Sequence, residues 1–183
     1  MDALLRWQFH LVWSLLEEHF ATLTEDDVHW EPVPGLWTVH QGNDGRWRPD
    51  WIEPEPEDGP PATIGWLTWH IGWWWTEALA AWHGEPLPPR EEIYWPGTMA
   101  AAITWIRDLA SHWRQVLTEL PGTDLDRTAP FPWHDRPDRT IGHMVFWVNG
   151  ELMKNAAELG QLKMAHTTSL RTGAASAEPS SRG

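Results

Sequence analysis

The chain has 183 residues, a formal net charge of −13 and no cysteine. The missing cysteine excludes disulfides, thiolate metal sites and a cysteine nucleophile. The acidity argues against nucleic-acid and anionic-membrane binding, which rest on a basic footprint. Residues 2–22 carry Leu5, Phe9, Val12, Leu16 and Phe20 at spacings of three and four, which predicts an amphipathic helix. Thr24 followed by Glu25, Asp26 and Asp27 predicts a capped short helix. Residues 31–61 hold seven prolines, so no helix crosses them. This is a long Pro/Trp-rich loop between the first two long helices. Asn43-Asp44-Gly45 predicts a small hairpin between Val39 and Trp47, and Trp37, Trp47 and Trp51 predict that the loop packs down.

A second long helix is predicted from a Thr63 cap to His83, with Gly84 as its stop. A third runs from Thr98 to Leu120 on a stripe that includes Met99, Ile103, Ile106, Trp113 and Leu120, and Pro121-Gly122 ends it. Residues 123–137 form another loop. The fourth helix is predicted from Asp138 to Met164. Residues 166–183 are rich in Ser, Ala, Thr, Gly and Arg and read as a disordered tail. The expected architecture is all-α, one four-helix bundle over residues 1–165. The N-terminus lacks a basic segment followed by an apolar run, and no apolar run reaches spanning length. The chain is therefore expected to have no signal peptide and no membrane span, and to be cytoplasmic.

Seventeen tryptophans exceed incidental use. Most fill the core, and some are expected to line a cavity or a homodimer interface. Five of them, Trp66, Trp69, Trp73, Trp74 and Trp75, crowd His70 in the second helix. A helix apolar nearly all round is buried, and a buried imidazole is costly unless its nitrogens are bonded. On the fourth helix the core stripe Met144, Val148, Leu152 and Leu159 includes Glu151 and Asn155 one turn apart. These two are the expected neighbours of His70. Three readings stand open: a self-satisfied polar network, a metal site, and a polar ligand site without metal. Trp66, Trp69 and Trp73 are expected as pocket walls, with His143 at the rim. No Gly-rich phosphate loop, Gly-x-Ser-x-Gly or His-Glu-x-x-His is present.

Two segments carry a family resemblance: Thr63-Ile64-Gly65-Trp66-Leu67-Thr68-Trp69-His70-Ile71, and Val148-Asn149-Gly150-Glu151-Leu152-Met153-Lys154-Asn155-Ala156-Ala157-Glu158-Leu159-Gly160. Their order, spacing and helical setting resemble the DinB/YfiT-like superfamily of four-helix bundle proteins over residues 1–165. The resemblance implies a zinc or nickel centre on three histidines, one from the second helix and two, four residues apart, from the fourth. His70 matches the first, and Glu151 and Asn155 fall at the other two. The centre would therefore be degenerate, holding a divalent metal on His70, Glu151 and Asn155, or none. The resemblance also implies transfer of low-molecular-weight thiols, of the mycothiol or bacillithiol kind, to a small hydrophobic molecule. The alternative is a non-catalytic bundle that binds a small apolar ligand or is associated with stress. No DNA binding is implied.

Overall fold

The computed structural model describes residues 2–53, 61–133 and 136–177, with side chains to residue 172. Four helices dominate: α1 (Asp2–Phe20), α2 (Ile64–His83), α3 (Met99–Glu119) and α4 (Ile141–Ala177). Each predicted stripe faces inward. Leu5, Phe9, Val12, Leu16 and Phe20 of α1 are buried against Trp75 and Ala78 of α2, Ile106 and Trp113 of α3, and Met144, Val148 and Leu152 of α4. Thr63 caps α2 by accepting from Trp66 N, and Thr98 caps α3 by accepting from Ala101 N. Gly84 closes α2 at φ +70°, a left-handed conformation that residues with a Cβ seldom adopt.

The helices do not alternate in direction. Asn149 of α4 bonds the Leu5 carbonyl near the start of α1, and Gly160 lies against His19 near its end, so α1 and α4 run parallel. Arg6 reaches the Leu120 carbonyl while Arg107 pairs with Glu17, so α3 runs opposite to α1. After α2 ends, Ile93 and Trp95 return to its first turns, where the Ile93 carbonyl accepts from Trp69 and the Trp95 indole donates to Thr68. This return is what lets α3 start beside the beginning of α2 and run in the same direction.

The loop after α1 folds onto the start of α2. A 3-10 turn (Glu25–Asp27) leads to the expected hairpin, β1 (Val39–Gln41) and β2 (Trp47–Pro49), antiparallel with Val39 opposite Pro49 and His40 opposite Arg48. Trp37 exchanges backbone bonds with Pro61 and Thr63, and the Val28 carbonyl accepts from Gly65 N. Among the described residues, no helix is long and apolar enough to cross a membrane.

Three helix boundaries differ from the expectation: α1 ends at Phe20 rather than residue 22, α4 starts at Ile141 rather than Asp138, and the end of α4 differs most. α4 does not end near Met164 but continues to Ala177, so residues 166–177 are helical; residues 178–183 of the expected tail lie outside the described residues. The extension is tied down by a buried acid. Asp27 is fully buried and accepts from Lys163 Nζ at 2.7 Å, His166 Nδ1 at 2.7 Å and Thr24 N at 2.8 Å, and Trp30 stacks on the His166 ring at 4.9 Å. Burial pushes the Asp27 carboxyl up, but these hydrogen bonds outweigh it and hold it below the usual range.

Candidate functional site

The first turns of α2 sit between two loops that its indoles grip. Trp66 donates its ring N–H to the Asp50 carbonyl at 2.9 Å, and Trp69 donates to the Ile93 carbonyl at 2.7 Å. An indole bonded at its polar edge and packed on its faces is held in one orientation. Trp51 from the long loop completes the aromatic wall, edge-on to Trp69 at 6.1 Å and to Trp73 at 5.1 Å. The Arg90 guanidinium covers Trp51 from outside at 4.2 Å and bonds Glu53.

His70 lies against this wall, stacked on Trp66 with ring centroids 4.8 Å apart and tilted against Trp73 at 5.6 Å. Its Nδ1 is buried without a hydrogen-bond partner, and so is the neighbouring Trp73 Nε1. Burial removes water from the ring, and the positive charge of Lys154 adds to it, so the imidazole pKa is pushed down to about 3. At neutral pH His70 is uncharged.

The α4 turn expected opposite His70 is engaged elsewhere. Asn155 is buried, but its Oδ1 accepts from the Trp74 indole at 3.2 Å and its Nδ2 donates to Glu158 at 2.9 Å. Glu151 is partly exposed and pairs with Lys154 at 2.6 Å. Among the described residues, no hydrogen bond joins His70 to either. His143 is exposed in the first turn of α4, where its Nδ1 accepts from the Thr140 backbone N–H at 3.1 Å. The aromatic wall Trp66, Trp69 and Trp73 thus gathers around His70, whereas Glu151, Asn155 and His143 bond other groups. Sequence reasoning missed Trp74 as the partner of Asn155 and Lys154 as the charge acting on His70. The pattern does offer a signal for both, since Lys154 adjoins Asn155 and Trp74 lies one turn after His70. An open cleft of about 500 Å³ lies at the other end of α2, between His83 and His112, and none of the expected site residues lines it.

A family model of the DinB superfamily matches residues 8–159. The chain belongs to the DinB superfamily. The match spans α1 to α3 and the part of α4 that carries Glu151 and Asn155, and the helical bundle described above is the fold expected of the superfamily. No curated protein and no solved structure matches the chain.

The metal centre that the family resemblance implies can be tested against the donors present. The amide of Asn155 is committed on both sides, Glu151 is neutralised by Lys154, and His70 supplies one neutral ring. Among the described residues, no group of three or more His, Asp and Glu side chains is placed to hold a metal ion. This donor set does not fit a zinc or nickel centre, which takes three or four well-placed ligands.

Proposed function

We propose that this DinB-superfamily bundle is a metal-independent binding protein for a small, largely apolar or aromatic molecule that carries one hydroxyl or carbonyl group, and that it works in the cytoplasm. The observation that carries this reading is that His70 Nδ1 and Trp73 Nε1 are both buried without a partner, on rings whose centroids lie 5.6 Å apart in a wall of tryptophans. A buried polar atom without a partner costs about 1–3 kcal/mol. A ligand hydroxyl could donate to the neutral imidazole or accept from the indole N–H and recover part of that cost. The tryptophan faces would supply the apolar contact. Catalysis of thiol transfer is less well supported. A group that gains a proton only near pH 3 is a weak general base at neutral pH, and the donors do not fit the metal that would activate the thiol.

The test is a titration of intrinsic fluorescence and heat with matched pairs, such as a naphthol and naphthalene, on wild type and His70→Phe. The expected result is saturable binding of the hydroxylated member without added metal, weakened about tenfold in the variant, a loss of one neutral hydrogen bond. Binding that appears only with added zinc or nickel, or turnover of a low-molecular-weight thiol with an electrophile, would overturn the proposal in favour of the thiol-transferase reading.

A further inference from the structure

The cleft at the far end of α2 is built from three elements. Thr76, Leu79, Ala80 and His83 share one face of the last turns of α2, and Leu109 and His112 lie one turn apart on α3. The linker after α2 closes the third side with Glu85, Pro86 and Pro88. The volume of about 500 Å³ falls within the roughly 300–1,000 Å³ of small-molecule sites. The floor is apolar. Leu79, Ala80 and Leu109 belong to the buried core yet reach the surface here, at 7%, 8% and 8% exposure, and the two proline rings extend them.

The polar groups around this floor share one character: they accept hydrogen bonds. Thr76 donates its hydroxyl hydrogen to the Gly72 carbonyl at 2.7 Å, which leaves the oxygen lone pairs. Glu85 brings a carboxylate, while its backbone N–H is committed to the Ala80 carbonyl at 2.9 Å. Pro86 and Pro88 have no N–H. The Trp82 carbonyl, whose helical donor would be residue 86, meets a proline there and gains no such bond. The carbonyl end of a helix carries partial negative charge, and α2 ends at this cleft. His83 and His112, both exposed, each add a ring face and, when neutral, an acceptor nitrogen. Among the described residues no Lys or Arg lines the cleft, and the −13 of the whole chain raises the local concentration of cations.

We propose that this cleft binds a small organic ammonium ion, a primary amine on an apolar body. A protonated amine offers three N–H donors and no acceptor, the complement of a lining that accepts. Its body covers Leu79, Leu109 and the prolines. An anion would instead meet the Glu85 carboxylate and the negative end of α2, and a neutral alcohol would bring one donor and no charge. His70 sits in the first half of α2 and does not line the cleft, so the two sites are independent.

Proton NMR of the histidine rings tests the site, with signals assigned through His83→Gln and His112→Gln. Phenethylamine is titrated beside its neutral and anionic counterparts, phenethyl alcohol and phenylpropionate. The amine is expected to shift the His83 and His112 signals saturably. The alcohol is expected to bind about fivefold more weakly, the effect of one partly exposed ion pair, and the carboxylate more weakly still. Glu85→Gln changes an exposed position and is expected to weaken the amine about fivefold while leaving the alcohol unchanged. His70→Phe is expected to leave amine binding unchanged, so this site and the aromatic wall fail or stand separately. Equal binding of the three compounds, an amine affinity indifferent to Glu85→Gln, shifts at His70 in place of His83 and His112, or no saturation up to about 10 mM amine would each overturn the proposal.

Discussion

The ionisation of His70 ties its surroundings to the stability of the whole chain. Its folded pKa of about 3 lies below the ordinary 6.5, so the unfolded chain binds this proton more readily than the folded one. The group contributes its full stability above about pH 6.5 and loses it as the pH falls toward 3, at about 1.4 kcal/mol per pH unit inside that window. His70→Phe keeps a ring against Trp66 and removes both the titration and the orphaned Nδ1. Urea unfolding of wild type and variant between neutral pH and pH 5 is expected to give curves that diverge, with wild type losing stability faster on acidification. Parallel curves would mean that the imidazole is solvated in the fold. The place of His70 among tryptophans is legible in the sequence, because five indoles within ten residues of helix leave few polar contacts. What its neighbours bond is less legible. Helical spacing places Glu151 and Asn155 on the inward side of α4, but reach decides which partner claims them. The long indole of Trp74 gets to Asn155, and Lys154, one turn from Glu151, satisfies the carboxylate locally.

At the scale of elements, the Trp105 ring of α3 packs directly over Gly72 of α2. A Cβ there would lie 2.0 Å from the Trp105 ring. Alanine normally favours a helix over glycine by about 1 kcal/mol, but the collision here outweighs that gain, since overpacking costs about 1–3 kcal/mol. Gly72→Ala is expected to destabilise the chain in urea unfolding, and in a Trp105→Ala background the same change should become neutral or stabilising. Destabilisation that persists without the indole would place its cause elsewhere. The second element-scale device is the Asp27 clamp. Asp27→Ala leaves Lys163 and His166 without their buried acceptor and is expected to cost about 3 kcal/mol. Hydrogen exchange should then quicken in residues 161–172 more than in 145–158; uniform quickening would mean that the clamp is not local. The four helices, their caps and the hairpin are legible because apolar period, Thr63, Thr98 and Asn43-Asp44-Gly45 agree at each boundary. The end of α4 is not, for a physical reason. Apolar period reports burial, and beyond residue 165 the helix has little apolar face to bury. Its anchor is instead the i, i+3 pair Lys163 and His166, whose acceptor lies 136 to 139 residues away.

Over the whole molecule the excess of acids governs the response to salt. Most ion pairs are exposed, among them Arg48–Asp44, Arg107–Glu17 and Arg136–Asp138, and such pairs contribute about 0–1 kcal/mol each. Asp27–Lys163 is shielded by burial of the acid and is screened least. Against these small local gains stands the mutual repulsion of a −13 surface, which acts across the molecule when the Debye length is about 30 Å and is largely screened when it is about 8 Å. Raising sodium chloride from low millimolar to physiological strength therefore removes more repulsion than attraction, and the thermal midpoint is expected to rise by several degrees, the response to about 1 kcal/mol in a domain of this size. A midpoint that stays flat or falls would show that the exposed pairs outweigh the net charge.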